Sequence, residues 1–262
     1  MQTYQVPSVT QQELLMGRTV LVTGASRGIG AATARALAGA GASVVLAARD
    51  ETAIRAIAAE IVEASGQAIA VRTDVTDEQA VERMVEAAMA TYGRLDAAFN
   101  NAGDGHMPAP LANLEVTDLE RSLATNVRGV FLSMKYEIPA MLQSGGGSIV
   151  NMSSTAGLQG VRGMGAYSAA KHAILGLTRS AALDYGAQNI RVNAVAPGPI
   201  LTERLAALDD ENRQRVSAHV PLARLGMAGE VAAVVAWLCS DQSSFVTGAT
   251  IPVDGGRLAG AA

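Results

Sequence analysis

Short apolar runs alternate along this chain with longer stretches whose apolar residues recur at helical spacing. The first run, at 18–23, is rich in β-branched residues and stops at a glycine cluster, after which the alanine-rich stretch 29–40 continues with helical periodicity. The alternation predicts seven strands, at 18–23, 43–48, 68–72, 95–100, 148–152, 191–196 and 250–253. It also predicts helices at 29–40, 51–64, 76–92, 117–143 and 165–185, a polar helical stretch after 200, and an apolar helix at 231–239.

Local signals set the ends of several of these helices. Thr76, with Gln79 three residues on, predicts a capping box at the start of the third helix, and Gly93 is expected to end that helix. Pro139 is expected to disturb the last part of the long helix 117–143. These boundaries leave room for only short connections.

Strands that alternate with helices of this length indicate a parallel sheet, because each helix must carry the chain back to the same edge. The predicted fold class is therefore α/β: a single-domain, doubly wound Rossmann fold with a seven-stranded parallel sheet and helices on both faces. Residues 1–16 are expected to be a loose N-terminal tail and 17–262 the folded domain. In such sheets ligands bind outside the carboxyl ends of the strands, where the candidate chemistry should be found.

Composition narrows the class of partner. The chain is 49% hydrophobic and 17% charged, with a net charge of −4, so no basic field would attract a nucleic acid or an anionic membrane. Its single cysteine, Cys239, cannot form an intrachain disulfide and lies in an apolar stretch, and the first residues do not resemble a signal peptide. We therefore expect a cytoplasmic protein with a small-molecule partner, without a membrane span or a metal site.

A glycine loop follows the first strand. Gly24, Gly28 and Gly30 stand at the first, fifth and seventh positions of the loop, which differs from the usual G-x-G-x-x-G spacing. Glycines let the backbone turn sharply and approach a pyrophosphate, whose charge is then met by amide groups at the helix N-terminus. The alternative is a simple helix-entry turn, which three glycines at one junction make the weaker interpretation.

This T-G-x-x-x-G-x-G spacing resembles that of the short-chain dehydrogenases/reductases, in particular the 3-oxoacyl-carrier-protein reductase-like and ketoreductase members. Asn100-Asn101-Ala102-Gly103 is similar to the family's N-N-A-G element, and Pro197-Gly198 to its P-G segment. The resemblance extends from about residue 19 to 256 and implies a homotetramer, with a substrate-covering segment at about 200–225. The residues it implies for cofactor binding are Gly24, Ser26, Arg27, Gly28, Ile29, Gly30, Arg49, Asp74, Val75, Asn101, Ala102, Gly103, Tyr167, Lys171, Pro197, Gly198, Ile200 and Thr202.

Four polar residues carry the candidate catalytic chemistry. Tyr167 and Lys171 are four apart in a predicted helix and so project from one face, and Ser154 lies thirteen residues before Tyr167. Reduction of a carbonyl needs a proton donor that ionises near neutral pH, and a nearby ammonium would lower the pKa of a tyrosine toward that range. Tyr167 is thus the expected acid/base, Lys171 its electrostatic partner, and Ser154 the donor to the substrate oxygen.

Asn126 is unusual because it falls in the middle of a predicted helix, where asparagine competes for backbone hydrogen bonds. The resemblance implies that Asn126 holds a water linking the lysine to solvent, and that Lys171 also bonds the nicotinamide ribose. Ser153 is the rival for the serine role, but the spacing of thirteen residues between Ser154 and Tyr167 favours Ser154.

The end of the second strand bears on the choice of nicotinamide. Ala48 stands where a carboxylate would select the ribose 2′-hydroxyl, and Arg49 follows it, with Arg27 in the glycine loop. Two guanidiniums could meet a 2′-phosphate, so NADP(H) is favoured and NAD(H) is possible. Asp50 would favour NAD(H) if the register were shifted by a residue or two.

The expected activity is an NAD(P)-dependent transfer of hydride between nicotinamide and a ketone or secondary alcohol, by an NADP-preferring carbonyl reductase or alcohol dehydrogenase. One alternative is a non-catalytic dinucleotide-binding regulatory protein, which would lose the catalytic side chains. Another is an epimerase or dehydratase with a different glycine spacing and an added C-terminal domain. The sequence does not name a substrate.

Overall fold

The fold was analysed in a computed structural model that describes residues 13–260. Its strands are β1 (Thr19–Thr23), β2 (Ser43–Ala48), β3 (Gln67–Arg72), β4 (Ala97–Asn100), β5 (Gly147–Met152), β6 (Ile190–Pro197), β7 (Ile200–Leu201), β8 (Gly226–Met227) and β9 (Thr250–Val253). Its α-helices are α1 (Gly28–Gly39), α2 (Glu51–Glu63), α3 (Glu78–Tyr92), α4 (Val116–Leu123), α5 (Gly129–Gln143), α6 (Gly165–Tyr185), α7 (Glu203–Ala206), α8 (Asp210–Ser217) and α9 (Ala228–Cys239).

Seven strands form one parallel sheet in the order β3-β2-β1-β4-β5-β6-β9. The order reverses between β1 and β4, and this switch point opens a crevice at the carboxyl edge. The predicted fold class, a doubly wound Rossmann sheet in a single α/β domain, is confirmed. Two further strands, β7 and β8, form a small separate parallel pair that the sequence did not suggest.

Apolar side chains leave each strand alternately toward the two faces of the sheet. In β1, Val20 and Val22 belong to the core under α1, α2 and α9, whereas Leu21 belongs to the core under α3, α5 and α6. Because both faces are covered, the central strands are buried along their whole length. Within residues 13–260, no helix has the length and apolarity needed to cross a membrane.

Three local predictions need correction. The predicted capping box at Thr76 is wrong: Asp77 caps α3, accepting from the Gln79 amide, while Thr76 bonds Asp74. Gly93 does end α3 in a left-handed conformation. Leu15, placed in the loose tail of 1–16, is buried in the core, and its amide donates to the Ala40 carbonyl, so packing begins before residue 17. The rest of that tail prediction, residues 1–12, lies outside the described residues.

The predicted helix 117–143 is also more complex than expected. It begins at Val116 and contains a π turn (Ala124–Arg128), in which the Gly129 amide bonds the Ala124 carbonyl five residues back. The helix then continues as α5 through Pro139 to Gln143. The main irregularity therefore lies at Asn126 and not near the proline.

Candidate active site

The glycine loop between β1 and α1 is shaped by close backbone packing. Gly24 and Gly28 have positive φ angles of 64° and 54°, which glycine adopts without strain. A Cβ on Gly30 would lie 2.2 Å from the Gly24 carbonyl oxygen, and one on Gly24 would lie 2.9 Å from the Ala102 Cα. Side chains are excluded at both positions, which leaves the loop backbone open to a ligand.

The loop is fixed to the end of β4 by Asn101 and Thr23. The Asn101 amide side chain donates to the carbonyls of Thr23 and Gly24, at 3.0 and 3.1 Å. In return the Thr23 hydroxyl accepts from the main-chain amides of Asn101 and Ala102, both at 3.0 Å. The sequence motifs contain both residues, but the contact of Thr23 with Asn101 and Ala102 is visible only in the structure.

A groove of about 940 Å³ runs along this edge, and we call it the edge groove. Most of the side chains and backbone segments predicted to bind a cofactor line it. The lining residues are Gly24, Ser26, Arg27, Gly28, Ile29, Ala48, Arg49, Asp50, Thr73, Asp74, Val75, Asn101, Ala102, Gly103, Thr125, Thr202 and Glu203. Gly30 supports the groove from behind, through its contact with Gly24.

Asp74 stands in the wall of the groove just beyond β3. Its carboxylate accepts from the amide and the hydroxyl of Thr76, at 2.9 and 2.8 Å. Partial burial raises the pKa of Asp74, but the Thr76 hydrogen bonds and the charges of Arg49 and Arg72 outweigh it, so the pKa lies below its usual value. Asp74 is therefore a carboxylate at neutral pH, able to accept a hydrogen bond from a ligand.

Two arginines flank the end of β2. Ala48 is the last residue of that strand, and the exposed side chains of Arg49 and Arg27 both line the groove. Asp50 lines it as well, but its carboxylate caps α2 by accepting from the Ala53 amide at 3.0 Å. The strand end thus presents exposed guanidinium groups, of which Arg49 interacts electrostatically with Asp74, beside a carboxylate that already has a structural partner.

Beyond the groove lie Asn126, Ser154, Tyr167 and Lys171, which we call the polar corner. Tyr167 and Lys171 project from the same face of α6, and the Lys171 ammonium nitrogen lies 5.5 Å from the centre of the Tyr167 ring. Tyr167 is partly exposed, whereas Lys171 is buried. The partly exposed tyrosine therefore lies next to a buried lysine.

Lys171 is fixed to the end of β5. Its Nζ donates to the Met152 carbonyl at 2.8 Å, and its own carbonyl accepts from the Ser153 hydroxyl at 2.9 Å. Burial lowers the pKa of Lys171 to about 7, because the ammonium form loses hydration there. Lysine at this position consequently changes charge in the physiological range.

Ser154 follows directly on Ser153 but behaves differently. The Ser153 side chain is buried, and its hydroxyl donates to the Lys171 carbonyl. The Ser154 oxygen accepts from the Ala156 amide at 3.1 Å, at the start of a short 3₁₀ turn. That bond uses a lone pair and leaves the Ser154 proton available for another acceptor.

Asn126 lies in the π turn and is fully buried. Its amide nitrogen donates to the carbonyls of Asp104 and Ser122, both at 2.9 Å, and its oxygen accepts from the Asp104 amide. A Cβ on Gly103 would lie 2.8 Å from the Asn126 oxygen and 3.4 Å from Lys171 Nζ. Asn126 and Lys171 therefore converge on Gly103, where the edge groove meets the polar corner.

The segment after β6 divides between two cavities. Thr202 lines the edge groove and packs against Gly28, whereas the Ile200 side chain lies against Gly226 in a second cavity of about 350 Å³. Gly198 packs on Asp254, and its amide donates to the Val253 carbonyl. Any contact from Ile200 to a ligand in the edge groove would come from its main chain.

His106 is a contributor that the sequence interpretation left without a role. It is buried, its Nδ1 lies 2.9 Å from the Met107 carbonyl, and its Nε2 accepts from the Tyr167 amide at 3.4 Å. The imidazole thus supplies a hydrogen bond to the first turn of α6, whose N-cap side chain makes none. The only feature of the sequence that could have pointed to His106 as a site residue was its position shortly after the N-N-A-G element.

Cys239 is buried, and burial raises the pKa of its thiol to about 12. The thiol is therefore protonated at neutral pH, which makes it a poor nucleophile.

A sheet of this order, with a glycine-lined groove at its carboxyl edge, defines a dinucleotide-binding α/β protein. A family model described as enoyl-(acyl carrier protein) reductase matches residues 24–257. The A-factor type gamma-butyrolactone 1′-reductase of Streptomyces virginiae is 44% identical over 94% of this chain and 97% of its own length. Cyclohexanol dehydrogenase of an Acinetobacter species is 43% identical over 91% of this chain and 94% of its own.

Solved structures agree with these matches. A short-chain type dehydrogenase/reductase from Mycobacterium marinum superposes with a TM-score of 0.89 at 34% identity, covering 95% of this chain and 99% of its own. This chain belongs to the short-chain dehydrogenase/reductase family. It is an NAD(P)-dependent oxidoreductase that transfers hydride between nicotinamide and a ketone or secondary alcohol, in a family whose acid/base is a tyrosine.

Proposed function

We propose that this protein interconverts a ring-bearing ketone and its secondary alcohol with NADP(H) as the preferred cofactor, NAD(H) being the alternative. The observation that carries the proposal is the convergence of Lys171 and Asn126 on Gly103, next to Tyr167 and at the end of the edge groove. The ring-bearing substrate class is supported by the relative that is a cyclohexanol dehydrogenase. Exposed apolar side chains near the polar corner, Met107 and Leu158, would suit such a ring.

The edge groove fits a dinucleotide. Gly24 and Gly30, where added Cβ atoms would collide, let the loop pack closely on Ala102 and on its own backbone, and the amide groups at the N-terminus of α1 would meet a pyrophosphate. Asp74 and Val75 are assigned to the adenine end, Ser26 to Gly30 to the pyrophosphate, and Asn101 to Gly103 to the middle of the groove. Pro197, Gly198, Ile200 and Thr202 are assigned to the carboxamide end.

The preference for NADP(H) rests on the end of β2. Arg27 and Arg49 are exposed in the groove wall and could pair with a 2′-phosphate. Asp50 is the residue that could have opposed this preference, and its carboxylate caps α2 by accepting from the Ala53 amide.

Tyr167 acts as acid and base in this proposal. During reduction it gives its phenolic proton to the carbonyl oxygen, and during oxidation it takes the alcohol proton. Nicotinamide, when bound, supplies or accepts the hydride. Ser154 donates its free proton to the same substrate oxygen and so stabilises the charge that develops there.

Lys171 and Asn126 serve the proton transfer. The Lys171 ammonium favours the phenolate of Tyr167 and also binds the nicotinamide ribose, and its lowered pKa lets it pass a proton near neutral pH. Asn126 holds a water that connects Lys171 with solvent. The proximity of the Asn126 oxygen and Lys171 Nζ at Gly103 supports this relay.

Assembly as a homotetramer in the cytoplasm completes the proposal. An apolar surface groove lies on the outer side of α4, the π turn and α5, where Leu123 and Phe131 are exposed and Leu177 of α6 joins them. A second copy of the chain would cover this surface. The short helices α7 and α8, in the segment at about 200–225, are assigned to substrate covering.

The regulatory alternative without turnover is less well supported, because Tyr167, Lys171 and Asn126 lie close together and Ser154 is present as well. A screen for turnover tests the proposal directly. The purified protein is given NADPH or NADH with cyclic ketones, linear ketones and oxoacyl thioesters, and NADP⁺ or NAD⁺ with the matching alcohols, and the absorbance of reduced nicotinamide is followed. We expect turnover of a cyclic substrate with NADP(H) favoured. Binding of dinucleotide without turnover of any substrate would favour the regulator.

A further inference from the structure

A group of polar side chains is sealed in the core between α5 and the sheet, away from both cavities. It consists of Asn100 at the end of β4, Glu137 on α5, Asn151 on β5 and Thr178 on α6, all of them buried. Asn100 directly precedes Asn101, which fixes the glycine loop. Any change in this buried cluster can therefore be transmitted to the edge groove.

All the hydrogen-bond donors of the buried cluster are in use. The Asn100 amide donates to Glu137 Oε2 at 3.0 Å and to the Asn151 oxygen at 3.1 Å. The Asn151 amide donates to Thr178 and to the Met134 sulfur, and the Thr178 hydroxyl donates to the Ile174 carbonyl. Neither amide nor hydroxyl has a hydrogen left to give.

Two acceptors of the same cluster have no donor. Glu137 Oε1 and Asn100 Oδ1 are buried and without a hydrogen-bond partner in the described part of the chain. Both belong to the two side chains that already share one hydrogen bond. Leaving two buried oxygens unpaired would cost stability, and one additional proton on Glu137 supplies the donor that both oxygens lack.

We propose that Glu137 is a neutral carboxylic acid in the folded protein, joined to the Asn100 amide by two hydrogen bonds, and that this pair positions the Asn101–Gly103 wall of the dinucleotide groove. In the pair, Glu137 Oε1 donates its proton to Asn100 Oδ1 while Asn100 Nδ2 donates to Glu137 Oε2. Glu137 is thus a positioning residue for the function proposed above, and its coupling to dinucleotide binding rests on that function.

Burial works in the same direction. It raises the pKa of Glu137 to about 8, against an ordinary value of 4.5, and the Asn100 hydrogen bond offsets only part of this. The acid is therefore neutral at pH 7 and ionises under mildly alkaline conditions. Ionisation would break the bond to Asn100 Oδ1 and place a negative charge beneath the groove wall.

No nearby cation counters this effect from the elements packed on α5. The charged and titratable groups of α3 are Glu78, which pairs with Lys135 and Tyr136 of α5, the exposed Glu82, Arg83 and Glu86, and Tyr92. On the π turn Arg128 is exposed and bonds the Thr76 carbonyl, and on β6 Arg191 bonds the carbonyls of Leu238 and Ser240. β4 and β5 carry no ionisable side chain. On α6, Lys171 is bonded to Met152, and the other titratable side chains are exposed or partly exposed: Tyr167, His172, Arg179, Asp184 and Tyr185.

The substitution Glu137→Gln keeps the shape of the side chain and removes its ability to ionise. A glutamine can donate to Asn100 Oδ1 and accept from Asn100 Nδ2 at every pH, so it reproduces the neutral pair and cannot ionise. Glu86→Gln removes an exposed carboxylate from α3 and serves as the matched control. Glu137→Leu, which leaves Asn100 unpaired, is a second variant that we expect to be destabilised.

The state of the carboxyl is measured first, by infrared difference spectra of the wild type against Glu137→Gln, without cofactor or substrate. At pH 7 we expect a protonated carboxyl band in the wild type that is lost as the pH passes about 8. The unfolding equilibrium constant of the wild type should also rise relative to the variant, by about tenfold per pH unit, between roughly 4.5 and 8. A carboxylate band at pH 7, or parallel stability profiles, would overturn the proposal.

Dinucleotide affinity is then measured by fluorescence titration between pH 7 and 9, without turnover. Because Lys171 also titrates in this range in all three proteins, the pH profiles are compared with one another: we expect wild-type and Glu86→Gln proteins to lose affinity relative to Glu137→Gln by up to about tenfold for each pH unit above 8. Superimposable affinity profiles of wild type and Glu137→Gln would refute the positioning role. Failure of all three proteins to bind any dinucleotide would overturn the proposed function and the coupling with it, whereas the infrared band would still decide the state of the acid.

Discussion

The edge groove and the polar corner share one edge of the sheet but are built from different parts of the chain's chemistry. The groove is shaped by backbone: glycines that exclude side chains, and carbonyls and amides held by Asn101 and Thr23. The corner is shaped by side chains, among them a buried lysine whose pKa is lowered to about 7. Binding can therefore be preserved while chemistry is lost, and each half can be altered separately.

The largest separation should come from Tyr167→Phe. The ring would keep its place beside Lys171, but the transferable proton is gone, so kcat should fall by at least about 10³ while dinucleotide affinity changes by less than about threefold. Steady-state kinetics and fluorescence titration give the two quantities. Tyr185→Phe, at the other end of α6, is the matched control and should retain activity. Turnover by Tyr167→Phe at the wild-type rate would contradict the role of the phenol.

A smaller effect, confined to the groove, is expected from Arg49→Asp. Removing a guanidinium that pairs with a 2′-phosphate, and adding a repelling carboxylate, should weaken NADPH binding by roughly 10- to 100-fold. NADH binding should change by less than about threefold, and the kcat with NADH should be nearly constant. The exposed Arg83 on α3 provides a charge-matched control, Arg83→Asp. Equal losses for both cofactors would show that Arg49 does not select the phosphate.

The smallest expected effect is a change in the free energy of unfolding with pH, caused by the protonation of Lys171. Its pKa is about 7 in the folded protein and ordinarily 10.5, so between these values the unfolded chain holds a proton that the folded protein has lost. The free energy of unfolding should therefore rise with pH in this window, by about 1.4 kcal/mol per pH unit relative to Lys171→Met. Below pH 7 the difference should be constant.

Chemical unfolding followed through Trp237 at fixed protein concentration measures this slope. Lys135→Met, at an exposed lysine whose pKa is raised by its bond to Glu78, should show no such slope between pH 7 and 10.5. A flat difference for Lys171→Met would mean that the buried lysine keeps its proton through association with another group.

Most of the sheet could be predicted from the sequence because its central strands are continuous buried runs. The bounds of β2, β9 and α6 agree with the prediction, since a nearby glycine or a change of period marks their ends. β7 and β8 could not be predicted, because two residues carry no periodicity. The Thr76 cap failed for a local reason: Asp74 takes up the Thr76 hydroxyl, which leaves Asp77 to cap α3.

The candidate site divides in the same way. Tyr167, Lys171 and Ser154 could be singled out by spacing along the chain, and the glycine loop by its position after the first strand. His106 and Glu137 could not, because their partners, Tyr167 and Asn100, are 61 and 37 residues away in sequence. Contacts of that range are determined by the fold as a whole, and a single sequence contains no local trace of them.

The π turn imposes a length requirement in the middle of a helix. It takes one residue more than an α-helical turn to close its hydrogen bond, and one residue corresponds to a rotation of roughly 100° about the helix axis. Because the widened turn absorbs that extra residue, loss of a single residue between 124 and 128 would let α4 and α5 wind as one uninterrupted helix with both halves near their present orientation. A deletion at this place should thus disturb Asn126 and its hydrogen bonds to Asp104 and Ser122 much more than it disturbs the packing of the rest of the helix.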